Sequence, residues 1–441
     1  MNNFFRKNCN ILFLSVFFLS FFLTNIFKLP IFGTKFQITE ILFFLSIPFF
    51  PIKKILELQL KHNKIIFIML FFLIILQFIS SLISGNSISI VSTFGRLYLL
   101  FLFSFFYYFI NIYLYNSESY FKSLDNIFFS SIIFIAILAL FGFFQFLFHN
   151  KITMYSVFEN YPYFGTVYRL KGFNTHPNML ANLLIFIILY CSGKLLINDN
   201  QFKIYKLGLT IIAFGCLFLT FSKSIIILIM GLLAILYAFH YRFKKIIFTL
   251  IISSFTILYI FITHIIIAPK NTQIQESLKT TNFTSDKILF TYNQNVLIET
   301  CYLCLKRIEL NVIKNNLFFG VGNGRFYSLL DYYKRIGLYP KKLPVFDPHC
   351  TYLGLFAENG LIAFILFMAF IFYIIFLFVL VLKRSFDKYI FLLFVIYLTF
   401  LIEAVSTDIL NYRHFWFFLS IILVVLNNTI KRNIILNDIH A

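Results

Sequence analysis

The chain has 441 residues, of which 60% are hydrophobic and only 12% charged, against roughly a quarter charged in soluble domains. That balance excludes a soluble globular protein and leaves an integral membrane protein. The net charge of +20 does not indicate nucleic acid, because the basic residues lie between apolar runs instead of forming one patch.

A helix needs ~20 predominantly apolar residues to cross the hydrocarbon core, where its backbone polar groups can bond only internally. Such runs fall at roughly 10–27, 39–52, 65–83, 97–114, 127–148, 179–197, 207–221, 224–240, 246–267, 359–382, 389–410 and 415–430. They predict an all-α polytopic membrane protein with about twelve transmembrane helices. The second run is short and ends in "IPFFPIKK", and only "TFSKS" divides the seventh from the eighth, so either can shift the number by one. No small-residue cleavage site follows the first run, which is read as retained.

With the N-terminal tail inside, the inward connections are short and basic: Arg6 and Lys7, "KKILELQLKHNK", Lys203 and Lys206, "YRFKK", "KRSFDK", and Lys431 with Arg432. This is the positive-inside pattern, and it puts both termini in the cytoplasm. Two outward segments exceed simple turns, 149–178 and 268–358, and chemistry on an external substrate has to use them. The chain thus divides into N-terminal transmembrane helices (1–148), a catalytic region that includes both outward segments (149–430) and a cytoplasmic tail (431–441).

The smaller outward segment contains "VYRLKGFNTHPNMLAN". Arg169 offers a planar fork suited to two phosphate oxygens, with Lys171 two residues on. His176 and Pro177 open the next span, where Pro in the first turn is expected. The plainer reading is a basic interfacial anchor and a helix start. Lys223, in the "TFSKS" turn, can hold lipid phosphate.

The larger segment begins with the polar, irregular "APKNTQIQESLKTTNFTSDK". Next comes "NVLIETCYLCLKRIELNVIKNN", whose apolar spacing predicts an amphipathic helix outside the membrane. Arg307 lies on it, where a solvated polar face is the simpler account. In "FFGVGNGRF" the glycines mark a tight turn; it follows no strand, so a nucleotide-binding reading fails its context. Arg325 ends that turn. His349, in "FDPHCTYLGLFAENG", sits against the start of a new span; its ordinary pKa of about 6.5 lets it take a proton at neutral pH. A lone His is more often a packing residue. Glu358 can cap a helix, orient His349 or face water, and Glu403, Asp408 and Arg413 are the charges nearest a membrane interior. "CYLC" lacks the second pair a zinc site needs, and a disulfide from Cys350 to Cys301 or Cys304 stays open.

Taken in order, these pieces resemble the O-antigen ligase and polymerase superfamily of bacterial glycosyltransferases. "RLKGFNTHPNMLAN" is similar to its Arg, Gly and His-Pro-Asn segment, and "TFSKSIIILIMGLL" to its Ser-Arg turn, with Lys223 where Arg is usual. "RIELNVIKNNLFFGVGNGRF" is similar to its Arg-led helix and Gly-x-Gly turn. "HCTYLGLFAENGLIAF" is similar to its His-Asn and Glu-x-Gly-Leu-Ile block, with Cys350 where Asn is usual.

The resemblance implies a GT-C-like fold in the bacterial inner membrane, with its active site facing the periplasm. It implies transfer of a glycan from an undecaprenyl-pyrophosphate carrier to a sugar hydroxyl, inverting and without metal or other cofactor. His349 would be the base, Arg169 and Arg307 would hold the pyrophosphate, and Lys171, His176, Lys223, Arg325 and Glu358 would contact substrate. The partners are the lipid-linked oligosaccharide donor, a glycan or lipid A-core acceptor, membrane lipids and a chain-length regulator. An O-antigen ligase is the first reading, and a polymerase joining repeat units is the alternative; the motifs do not separate them. A transporter or flippase of the same glycan fits less well, because most candidate groups lie at span ends and not at the midplane.

Overall fold

A computed structural model describes residues 2–24, 29–31, 34–49, 51–115, 120–148, 156–161, 165–197, 203–240, 245–269 and 284–440. Within them the chain is mostly helical. The helices are α1 (Asn2–Ser20), α2 (Ile38–Ser46), α3 (Ile52–His62), α4 (Lys64–Ile83), α5 (Ser87–Phe109), α6 (Tyr120–Phe129), α7 (Ile132–Phe148) and α8 (Pro177–Leu196). They continue as α9 (Lys203–Leu219), α10 (Ile225–His240), α11 (Lys245–His264), α12 (Cys301–Asn315), α13 (Phe326–Arg335), α14 (Thr351–Arg384), α15 (Lys388–Glu403) and α16 (Arg413–His440).

Each of the twelve apolar runs lies mainly on helix. Seven helical segments among the described residues are long and apolar enough to cross a membrane: Lys64–Ser84, Ser87–Ile112, Ser123–Phe144, Pro177–Leu196, Ile246–His264, Thr351–Arg384 and Arg413–Lys431. The chain is a multi-pass membrane protein. The short second run breaks at a 3-10 turn, Ile47–Phe49, before the amphipathic α3. Pro48 and Pro51 explain the break, since neither can donate a backbone hydrogen bond.

Burial separates central helices from peripheral ones. The span on α8 is 83% buried and that on α16 72%, while that on α11 is 11% buried and faces outward. The centre is built from aromatic edges. Phe128 meets Tyr190 with ring centroids 4.5 Å apart, and Phe106 meets Phe417 edge-on at 5.1 Å, the offset geometry that the ring quadrupole favours.

Short antiparallel strands interrupt the helical plan. They are β1 (Leu29–Ile31) with β2 (Thr34–Phe36), β3 (Ser156–Tyr161) with β4 (Gly165–Leu170), and a sheet of β5 (Ile265–Pro269), β7 (Asn295–Thr300) and β6 (Thr284–Tyr292) in that order. The expected amphipathic helix from Asn295 therefore begins six residues later, at Cys301. Val296, Leu297 and Ile298 pair with β5 and β6 instead, because β-branched residues suit a half-buried strand. Much of the polar stretch 268–287 and part of segment 149–178 lie outside the described residues.

Contacts sort the helix ends into two sets. At one end, Thr24 donates to Asn174, Arg413 pairs with Glu40, Arg96 with Asp408, and Thr351 N donates to the carbonyl of Ala404. At the other, the buried Asp125 carboxylate lies 3.2 Å from Lys206 and 3.9 Å from Lys194, and accepts the Tyr190 hydroxyl at 2.9 Å. Every candidate site residue belongs to the first end.

Candidate active site

Arg169 sits on β4, paired in register with Val157 of β3. Its side chain is 4% exposed. Nε donates to the Thr220 carbonyl at 2.8 Å and Nη2 to Asn178 Oδ1 at 2.7 Å. The end of α9 and the start of α8 thus fix the planar cation from two sides.

The His-Pro-Asn segment serves both helix and site. Pro177 occupies the first turn of α8, and His176 is its N-cap, with Nδ1 accepting from Asn178 N at 3.2 Å; Pro at this position forfeits no helical bond. The Asn178 side chain then reaches Arg169 with its oxygen and the Tyr302 hydroxyl with Nδ2, at 3.2 Å.

In the turn after α9, Ser222 Oγ donates to Asn178 Oδ1 at 3.3 Å, and Lys223 Nζ donates to the Ile262 carbonyl at 2.7 Å. Arg169, Asn178, Ser222, Lys223, Tyr259 and Tyr302 line one small polar cavity. Two cations on one wall make it a place for an anion.

Tyr302, on α12, carries this cavity to His349. The two rings lie 5.2 Å apart between centroids, and Phe346 approaches the imidazole at 5.0 Å. Burial among these rings pushes the His349 pKa down to about 4, with the Asp408 carboxylate pulling it back up. The ring is therefore neutral at physiological pH, the state that can accept a proton.

The turn and the kink that carry His349 fit each other through backbone. Val321 N donates to the Ala357 carbonyl at 3.1 Å, Gly322 N to that of Glu358 at 2.8 Å, and Leu361 N to that of Leu317 at 2.8 Å. Gly360 breaks α14 with φ 80° and ψ −179°, a region open almost only to glycine. A Cβ there would lie 2.0 Å from the Phe318 carbonyl oxygen, and one on Gly320 would lie 2.4 Å from that of Glu358. Gly320 is there for close approach to α14, whereas Gly322 and Gly324 come close to Ser84 at the end of α4 and to Ser92 of α5.

The expected site residues separate into two groups. Arg169, Lys223 and His349 converge around Tyr302, and His176 lies in the positive field of Arg169 and Lys171. Arg307 is turned elsewhere: Nη2 meets Glu299 at 3.3 Å, and its side chain is 42% exposed. Arg325 Nη1 donates to the Ser84 carbonyl at 3.2 Å, and Glu358 accepts from Phe326 N at 3.2 Å. These two fasten the glycine turn to α4 and α14.

Several partners escape a reading by sequence. Tyr302 passes for one more apolar position on an amphipathic helix. Behind the cavity, Ser222 donates to Ser224 at 3.0 Å, and Ser224 to Glu403 at 3.2 Å. Asn182 donates to the other Glu403 oxygen, and a His414 ring nitrogen meets Asn182 Oδ1 at 2.6 Å. Polar side chains inside otherwise apolar runs were the available signal.

Cys350 forms no disulfide. It caps α14, its sulfur accepting from Leu353 N at 3.5 Å. Burial pushes the thiol pKa up to about 11, so it stays protonated and unreactive. An Asn would cap the same helix, which accounts for the exchange at this position.

No curated protein matches the chain. A family model described as O-antigen ligase matches residues 208–368. That stretch holds Lys223, Arg307, the glycine turn, His349 and Glu358, while Arg169, Lys171 and His176 precede it. With its helical bundle and these motifs in order, the chain is a multi-pass membrane protein in which residues 208–368 match the O-antigen ligase family model.

Proposed function

We propose that the protein is an O-antigen ligase of lipopolysaccharide biosynthesis. It moves a glycan from undecaprenyl pyrophosphate to a sugar hydroxyl on the periplasmic side of the inner membrane, through a bundle of about twelve spans with both termini cytoplasmic. The observation that carries this reading is the meeting of Arg169, Lys223 and His349 around Tyr302.

In the proposed reaction the acceptor oxygen attacks the anomeric carbon from the face opposite the diphosphate, so the configuration inverts. The bond from that carbon to the diphosphate oxygen breaks, and its electron pair leaves with the diphosphate. The acceptor proton passes to His349. Charge that gathers on the diphosphate is stabilised by cations already fixed in place, the kind of preorganisation that contributes most to such catalysis.

Arg169 and Lys223 supply that charge without a metal, with Lys171 and His176 in the same field as Arg169. Family position assigns Arg307 the same task; to perform it the guanidinium must leave Glu299. Arg325 and Glu358 fasten the glycine turn and so position the helix that follows His349.

Purified protein should transfer glycan from a defined lipid-linked donor, and His349→Ala should lower the rate by about 10² to 10⁴. Undiminished turnover in the variant removes the base. Offered a lipid A-core acceptor and a lipid-linked repeat in parallel, a ligase uses the first; exclusive use of the second makes the protein a polymerase.

A further inference from the structure

A second polar recess lies against the chain on either side of His349, at Pro348 and Cys350. Gln77 of α4, Arg96 of α5, Asn323 of the glycine turn, Glu358 and Asn359 of α14, and Asp408 converge on it. Pro348 and Cys350, the two neighbours of His349, also line it. The His349 ring itself packs on Tyr302, which lines the cationic cavity, while its two chain neighbours line this recess.

The charges in this recess are already matched. Asp408 accepts from Arg96 Nη2 at 2.9 Å and from Asn411 at 2.7 Å, and Glu358 is occupied by Phe326 N. What is left over is polar, and its one cation, Arg96, is already paired with Asp408. Gln77 Oε1, Asn359 Oδ1 and Arg96 Nη1 are buried and have no hydrogen-bond partner among the described residues. Gln77 is 2% exposed and Asn359 4%.

An unpaired buried polar group costs about 1–3 kcal/mol, so two acceptors and one donor left open at one place call for a ligand that both donates and accepts. A second phosphate does not fit, because the carboxylates of Asp408 and Glu358 repel it. An alcohol fits, since each hydroxyl gives one hydrogen and takes another. The recess has room for about one water-sized group, so a hydroxyl fits and a whole sugar ring does not.

We infer that this recess is the acceptor subsite, in which Gln77, Arg96 and Asn359 grip hydroxyls on the edge of the acceptor sugar while His349 takes the proton from its reacting oxygen. The inference rests on the glycosyltransferase reading and extends it to the second substrate. It separates the two substrates by charge, with the pyrophosphate beside Arg169 and Lys223 and the polyol beside Gln77 and Asn359.

The test uses the full-length protein in nanodiscs, with rough-strain lipopolysaccharide and a lipid-linked single repeat as acceptor probes. Initial rates are measured against acceptor and donor separately for wild type, Gln77→Leu and Asn359→Leu. Loss of one hydrogen bond to the acceptor should raise its KM by about tenfold and leave the donor KM within about twofold. Gln77→Leu is the primary variant, since Asn359 adjoins the kink; a thermal melt near that of wild type establishes that it is folded. An unchanged acceptor KM in folded Gln77→Leu means that the recess holds water only and overturns the inference, as does a rise in donor KM alone. Wild-type protein that transfers to neither probe overturns the glycosyltransferase reading, and the inference falls with it.

Discussion

An imidazole whose pKa is held at about 4 by burial is available as a proton acceptor across the physiological range, yet it is a weak base. A diphosphate bound beside Arg169 would strengthen it, because nearby negative charge favours the protonated ring. Two pH profiles follow on the proposed mechanism. The acid limb of kcat/KM, which reports the free protein, should fall well below 6.5. The acid limb of kcat, which reports the complex, should lie at higher pH. Rates of purified protein from pH 4 to 8 check this, and coincident limbs at or above 6.5 would show that His349 is not the titrating base. At this scale His349, Arg169 and Lys223 could be found in the sequence because polar residues are conspicuous among Phe and Ile. Tyr302 could not, since one aromatic among 26 tyrosines says nothing until α12 lays it against His349.

Among the elements, the glycine turn and the kink in α14 are a matched pair. Gly360→Ala would place a Cβ 2.0 Å from the Phe318 carbonyl oxygen, in a backbone region closed to alanine. The cost should be at least ~2 kcal/mol, read as a lower melting temperature in detergent; a variant as stable as wild type would mean that the kink relaxes freely. Hydropathy located the span after this kink but gave no sign that a separate turn of helix, Thr351–Asn359, precedes it without a polar break. The same limit applies to β7. "NVLIETCYLC" carries apolar residues at spacings that suit either period, and pairing with β5 and β6 decides for the strand.

For the whole molecule, the two ends of the bundle divide the labour. Asp125 with Lys194 and Lys206 is buried at the end away from the site, and removing one partner of such a group leaves uncompensated charge, at a cost of about 3–5 kcal/mol. Asp125→Ala should therefore lower thermal stability sharply while the protein that remains folded keeps its acceptor and donor KM values. A change in either KM would mean that the two ends are coupled. The helical class and the apolar runs were legible in the sequence because lipid imposes them. Which helices are central was not: α8 and α11 are both long and apolar, and only packing makes one the core and the other the rim.

The kink at Gly360 also has a mechanical side. His349 is carried by a short helical segment whose backbone bonds run to the glycine turn and to Ala404 and Thr407, and it is not the top of one continuous rod. When the bilayer thins or thickens, a rigid spanning helix must tilt, and a residue fixed to its tip would swing through an arc. On the proposed mechanism, the break at Gly360 should let the span tilt while His349 keeps its place beside Tyr302, so turnover should change little between bilayers of different thickness.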